Sequence, residues 1–226
     1  MEILYKSPSA VVVYKPRGIP SQKDPSGDAD ALALTSAALA EMGESGTLYP
    51  VHRLDRVVGG VMIIARTKAA AVELSAAVSD GDFSKEYLAV AEGTVPSGIM
   101  TDYLYKDSVA KIARVVDEKK HGGKLATLEC HPLSVTDGAS PKTLVRVVLH
   151  TGRFHQIRAQ LASRRHSLLG DKKYGNRDPR AKMPALFAYK LSVKLSGESI
   201  SVTRLPDTSE YPWSLFNITE NTLIGE

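Results

Sequence analysis

The sequence predicts an α+β fold in which a large mixed, mostly antiparallel sheet is flanked by helices, all within one domain over residues 1–226. Three observations lead there. Short β-branched runs bounded by Gly and Pro recur along the chain, as strands do. Leu186–Leu195 alternates Phe187, Tyr189, Leu191, Val193 and Leu195 with Ala188, Lys190, Ser192 and Lys194, the period of a strand with one buried and one wet face. No repeat or low-complexity linker divides the 226 residues, a length within reach of one domain.

Taken in order, Ala10–Tyr14 is apolar and largely β-branched, and Lys15-Pro16-Arg17-Gly18 halts it with a proline that cannot donate to a ladder and a glycine that permits a turn. Asp28–Met42 is rich in helix formers, with Leu32, Leu39 and Met42 spaced to share a face and Gly43 to end the helix. A loop leads through Val51–Asp55 to Gly59-Gly60 and a second strand, Val61–Ala65. Thr67 then caps a helix from Lys68 to about Ser79, which Asp80-Gly81 stops. Lys85–Glu92 reads as a strand. From Thr94 to Ser140 the pattern is one of short β-prone pieces, with Lys119–Gly123 an exposed tip. Thr143–His150 is a strand, Gly152 breaks it, and a helix follows from about Phe154 to Arg165, with Ile157 and Leu161 one turn apart.

At 43% apolar and 24% charged residues, the composition excludes disordered and fibrous classes. The apolar runs, such as Val61–Ala65, fall far below the ~20 residues of a spanning helix, and the first residues lack the basic and apolar regions of a secretory signal. A cytoplasmic protein that does not enter a membrane is therefore expected. Cys130, the single cysteine, excludes an intramolecular disulfide and is expected to behave as a small buried hydrophobe. The net charge of +4 is unevenly spread: residues 151–190 hold ten Lys or Arg against two acids, +8, and the remaining 19 basic and 23 acidic residues give −4. A concentrated basic stretch suits a polyanion, because cations that neutralise phosphates release counterions; it is equally compatible with a solvated surface.

Three segments stand out chemically: His52-Arg53-Leu54-Asp55, Lys85-Glu86-Tyr87, and Gly152-Arg153-Phe154-His155-Gln156-Ile157-Arg158. Each sets an ionisable or aromatic group beside an apolar anchor in or next to a regular element, where a side chain can be held rigidly. No His-x-x-x-His or Cys-rich cluster occurs, so no metal is expected; no glycine-rich phosphate loop occurs, so no nucleotide cofactor is implied. His155 is expected to fix the glycine turn by hydrogen bonding, and Trp213 to pack.

These segments, together with Tyr14-Lys15-Pro16-Arg17-Gly18, Leu88–Gly93 and Gly170-Asp171-Lys172-Lys173-Tyr174-Gly175, resemble the RluA-type pseudouridine synthase family, in the family's order from about residue 10 to about 195. The resemblance implies a pseudouridine synthase-like fold, one catalytic domain without a small RNA-binding module at the amino terminus, and cofactor-free isomerisation of uridine to pseudouridine in ribosomal or transfer RNA. Two positions depart from the family pattern. Val58-Gly59-Gly60-Val61 stands where Thr-Ser-Gly-Leu is usual, and Phe154 where Thr is common.

By that resemblance Asp55 is the essential carboxylate, acting on the ribose carbon or on a sugar proton; the sequence leaves both open. A carboxylate drawn out of water needs a partner, and Arg158, one helical turn after Phe154, is assigned to it; Arg153 is the competing choice, with phosphate binding its other role. Tyr87 is expected to stack on the target base and to help its final deprotonation. Arg53 is a candidate to fill the place of an extruded nucleotide. Lys15, Arg17, Lys172 and Lys173 are expected to contact the RNA backbone, with His155, Gln156 and Ile157 on the substrate side. Two other readings compete: a non-catalytic RNA-binding protein that retains the fold, motivated by the altered 58–61 loop, and a hydrolase that releases uracil. A monomer is the expected state, since neither heptads nor a large apolar stripe is present.

Overall fold

The computed structural model describes residues 1–117, 122–195 and 197–224, in which the chain forms two compact units. The first comprises Met1–Lys85 and Ala188–Arg204, the second Glu86–Phe187 and Leu205–Glu226.

In the first unit, β2 (Ala10–Lys15) lies between β1 (Glu2–Lys6) and β4 (Gly59–Ala65), antiparallel to both, with Glu2 opposite Tyr14 and Lys15 opposite Gly60. A two-residue strand β3 (Tyr49–Pro50) pairs with β4. The part of β10 (Leu186–Leu195) in this unit pairs with β11 (Glu198–Thr203). Every residue of β4 is buried, which its Gly-Gly-Val-Met-Ile-Ile-Ala composition demands. Helix α2 (Lys68–Asp80) is capped by Thr67, whose hydroxyl accepts from Ala70 N–H at 3.1 Å, and ends at Gly81 with φ +86°. Its Ala70 and Leu74 join Val12, Val61, Ile63, Phe83, Leu191 and Val193 in a core.

The second unit is a meander-like sheet with strand order β5–β9–β8–β6–β7, all neighbours antiparallel. The strands are β5 (Ser84–Glu92, in this unit from Glu86), β6 (Gly98–Asp107), β7 (Ile112–Val116), β8 (Lys124–Val135) and β9 (Lys142–Leu149). Helix α3 (Gln156–Ser163) packs on it, Ala159 meeting Leu104, Ala113 and Ala126. A 3-10 turn follows at Lys172–Tyr174, and the chain closes with a 3-10 turn at Trp213–Leu215 and helix α4 (Glu220–Ile224).

The α+β class holds, and several local expectations are corrected. Strands β1 and β11 were not expected, and the segment 94–140 forms three strands of ten, five and twelve residues, not short pieces. The physical reason lies in β8, where Ala126, Leu128 and Cys130 are buried while Thr127, Glu129 and His131 alternate with them outward. Helix α1 (Ala31–Glu41) buries Ala31, Thr35, Ala38 and Leu39, and Met42 lies outside it, exposed. Asp30, inside the expected helix, is its cap. Helix α3 is shorter at both ends than expected because His155 before it takes φ +50° and Arg165 after it φ +66°, both outside the right-handed helical region. Of the expected tip, residues 119–121 lie outside the described residues. Cys130 is fully buried, and burial pushes its thiol up to about 11. Trp213 is buried, as expected of a packing residue.

Candidate active site

Asp55 sits half-buried in the loop between β3 and β4, and contacts inside the first unit hold that loop from both sides. Ser21 Oγ donates to the Leu54 carbonyl at 2.8 Å and accepts the Leu54 N–H at 2.9 Å. The Leu54 side chain is itself buried. Gly18 N–H donates to the Arg56 carbonyl at 2.8 Å, and Val58 N–H to the Asp55 carbonyl at 2.9 Å, which closes a turn around the carboxylate. The aspartate is thus carried on a backbone with few ways to move.

Lys15 contributes to the same restraint. It is fully buried, and its ammonium donates to the carbonyls of Ile19 at 2.8 Å and Pro16 at 3.1 Å, with Arg56 O at 3.5 Å. Burial lowers its pKa to about 8, the Asp55 charge opposing that shift and the Arg56 charge adding to it. Lys15 is therefore a loop clamp and not the surface phosphate contact expected of it: a side chain without exposed surface cannot reach a backbone phosphate. Arg56, exposed, bonds Ser26 at 3.0 Å and pairs with Asp28. Arg53 is exposed and Arg17 half-exposed, as contact with a nucleic acid requires.

His52 has a structural job. Its Nε2 accepts the Ile63 N–H at 3.1 Å, and its ring meets Phe83 edge-on at 5.2 Å. Enclosure, with Lys85 nearby, lowers its pKa to about 3, so the ring is neutral. Lys85 lies 5.2 Å over the Phe83 ring, and burial lowers its pKa.

In the second unit, Tyr87 is buried on β5 opposite Val147. Arg158 is also buried, with residues 156–161 of α3 buried all round, so the expected position at an apolar–solvent boundary is corrected. Its guanidinium grips Asp171, Nε to Oδ2 at 2.7 Å and Nη2 to Oδ1 at 2.9 Å, a two-pronged geometry that fixes its plane. The Tyr174 ring lies 5.2 Å from that guanidinium, and its hydroxyl takes the Ala113 N–H at 2.7 Å and bonds His155 Nδ1 at 3.0 Å.

The glycine turn is fixed by Gln156 in place of His155. Gln156 Oε1 accepts from Thr151 Oγ1 at 2.8 Å and Arg153 N–H at 3.0 Å, and Nε2 donates to the Thr127 carbonyl at 3.1 Å. Gln156 and Ile157, expected on the substrate side, are buried in the second unit. Arg153 is exposed and donates to the Leu125 carbonyl at 2.9 Å. Lys172 and Lys173 are exposed, Lys173 donating to the Lys111 carbonyl at 3.1 Å.

Ser21, Asp171 and Tyr174, which brace Leu54, Arg158 and His155, were not assigned a role from the sequence. Asp171 and Tyr174 stand inside Gly170–Gly175, where the basic pair between them drew the reading; an acid flanked by Gly and Lys in an otherwise cationic stretch was the available signal. Ser21, 33 residues from its partner Leu54, gave none. No helix of the described residues is long and apolar enough to cross a membrane, and among them no His, Cys, Asp and Glu cluster able to hold a metal is found.

The sequence profile of the family described as RNA pseudouridylate synthase matches residues 9–163. The chain is 32% identical over 182 residues to the Vibrio cholerae protein named ribosomal large subunit pseudouridine synthase D, covering 78% of this chain and 53% of that one. It is 34% identical over 182 residues to RNA pseudouridine synthase 7 of Arabidopsis thaliana, covering 77% and 45%. The chain thus spans about half the length of these curated relatives. In fold it is similar to the solved structure of human RNA Pseudouridylate Synthase Domain Containing 1, with a TM-score of 0.75 at 23% identity over 99% of this chain and 92% of that one.

Proposed function

The chain belongs to the RNA pseudouridylate synthase family, and from that premise we propose that it isomerises uridine to pseudouridine in ribosomal or transfer RNA, with Asp55 as the essential carboxylate. The isomerisation breaks the bond from uracil N1 to the ribose, turns the base, joins C5 to the same sugar carbon, and moves one proton from C5 to N1. No atom is gained or lost, and no oxidant or reductant is consumed. The observation that carries the reading is the clamped loop. Ser21, Gly18, Lys15 and Val58 hold the backbone on either side of Asp55, the rigidity that a carboxylate acting at one ribose needs.

Arg158 is proposed as the positive partner of that carboxylate. Its fixation by Asp171 supports the role, since the two-pronged bond holds the guanidinium in one plane and one direction. Tyr87 is proposed to stack on the target base and assist the C5 deprotonation, and Arg53 to occupy the place the base has left. The setting proposed is a monomer in the cytoplasm.

The test is pseudouridine mapping across total RNA from a strain lacking the gene, complemented by wild type or by Asp55→Asn. Wild type restores at least one modified position and the variant restores none. Full restoration by Asp55→Asn would remove the carboxylate from the chemistry; failure of wild type to restore any position would favour a non-catalytic RNA-binding protein, and free uracil among the products would indicate hydrolysis.

A further inference from the structure

In the second unit the inward face of β6, β7 and β8 changes character along its length. Leu104, Ala113 and Ala126 are buried against Ala159 of α3. The next positions on the same face are lysines: Lys106 follows Leu104 on β6, and Lys124 precedes Ala126 on β8. Register sets Leu104 opposite Lys124 and Lys106 opposite Ala113, so the four side chains share one side of the sheet. A cavity of about 330 Å³ opens there, lined among others by Leu104, Lys106, Ala113, Lys124, Arg153 and Phe154. Sites for small ligands occupy about 300–1,000 Å³.

The chemistry of the lining is one-sided. Lys106, Lys124 and Arg153 converge on the cavity, and no carboxylate pairs with any of them among the described residues. The bond from Arg153 Nε to the Leu125 carbonyl aims its guanidinium. Phe154 supplies the aromatic wall, stacked on His155 at 3.8 Å with the rings 18° apart, and the Lys106 ammonium lies 5.1 Å over the Phe154 centroid. Gathered cations without a counter-charge raise the local potential for an anion, and a braced ring gives a planar partner a face to stack on. A phosphate alone would leave the ring unused, and the carboxylates of an acidic peptide bring no aromatic ring to stack on it.

We propose that this cavity binds one nucleotide of the RNA other than the uridine being isomerised, its phosphate held by Lys106, Lys124 and Arg153 and its base by Phe154. As the phosphate draws Lys106 away, the ring face that the ammonium covers becomes available to the base. The assignment rests on the reading of the chain as an enzyme of RNA, and the two can fail separately.

The test measures anisotropy of a fluorescein-labelled single-stranded oligouridylate of about ten residues, across a salt series, with the full chain. The Lys106→Ala, Lys124→Ala double variant is expected to bind about 10-fold more weakly and to lower the log–log salt slope by about 0.7, the loss of one neutralised phosphate of a single strand. Phe154→Leu, which keeps the apolar volume, weakens binding by about 10-fold with the slope intact. Irradiation of an oligonucleotide carrying 5-iodouridine cross-links it to Phe154. Wild-type affinity and slope in the lysine variant, with cross-links elsewhere, would overturn the proposal, as would equal binding of a polyglutamate peptide through the same lysines. Pseudouridine formation by the same proteins is measured on total RNA from the strain lacking the gene. Isomerisation by wild type with unaltered binding by the variants sinks the cavity assignment alone; a fall in slope without isomerisation by any protein sinks the enzyme reading alone.

Discussion

Arg158 and Asp171 form a two-pronged ion pair sealed from water, its bonds 2.7 and 2.9 Å long and its side chains 3% and 1% exposed. Such a pair is a poor source of net stability, because desolvating two charges offsets most of their attraction; broken from one side, it is expensive. It therefore serves to specify where a guanidinium points.

Asp171→Asn breaks a buried two-pronged ion pair from one side and is expected to lower unfolding free energy by about 3–5 kcal/mol in urea titration. A double variant, Arg158→Met with Asp171→Leu, fills similar volume without charge and is expected to recover most of that loss. Pseudouridine formation should not return with it. A double variant that is stable and fully active would reduce the pair to packing.

Gly60 and Gly59 differ sharply despite their adjacency. A Cβ on Gly60 would lie 2.2 Å from the Ala188 carbonyl oxygen and 2.6 Å from Ala188 N, with φ at +135°. Both obstacles are backbone and cannot step aside. A Cβ on Gly59 meets the Arg17 side chain at 3.2 Å, which can. Gly60→Ala is thus expected to cost more than about 4 kcal/mol or to prevent folding, and Gly59→Ala about 1 kcal/mol or less, by thermal unfolding. Similar losses for the two would contradict this packing.

How much of this was legible in the sequence follows from the range of the forces involved. Thr67 and Gly81 bracket α2 by local chemistry, and the β10 alternation returns the observed span Leu186–Leu195. The loop motif around Asp55 was visible as a motif. Its restraint was not, because Ser21 and Lys15 act across 33 and 41 residues through backbone atoms that carry no sequence signature. Arg158 was read as a boundary residue for the same reason: an arginine after Ile157 looks amphipathic until Asp171 arrives to bury it. Met42 erred in the other direction, apolar by type and exposed by position.

Lys15 makes stability depend on pH in the alkaline range. Its folded pKa of about 8 lies below the 10.5 of the free side chain, so between those values the unfolded chain binds more protons than the folded one. Stability from this group therefore rises as pH climbs from about 8 to about 10.5, by up to about 3 kcal/mol. Lys15→Met removes the titration. The difference in unfolding free energy between wild type and Lys15→Met should shift in favour of wild type over that window, whatever its value at neutral pH, because the three carbonyls Lys15 serves lose their donor at every pH. A difference that stays constant with pH would show that the ammonium is not strained by burial.

His52 gives the opposite limb. The ring accepts the Ile63 N–H through Nε2, which only the neutral imidazole can do, and its pKa falls from 6.5 to about 3. Below about pH 6.5 the unfolded chain takes up a proton that the folded chain refuses, so the stability this histidine provides is present above that pH and is lost progressively as pH falls toward 3, on the order of 4 kcal/mol in full. His52→Gln keeps an acceptor for Ile63 but cannot protonate. Urea titrations between about pH 7 and pH 4 should therefore show wild type losing stability faster than His52→Gln, with the gap widening by about 1.4 kcal/mol for each pH unit once below 6. Parallel losses in the two proteins would mean that His52 charges in the folded state and that the Ile63 bond breaks when it does.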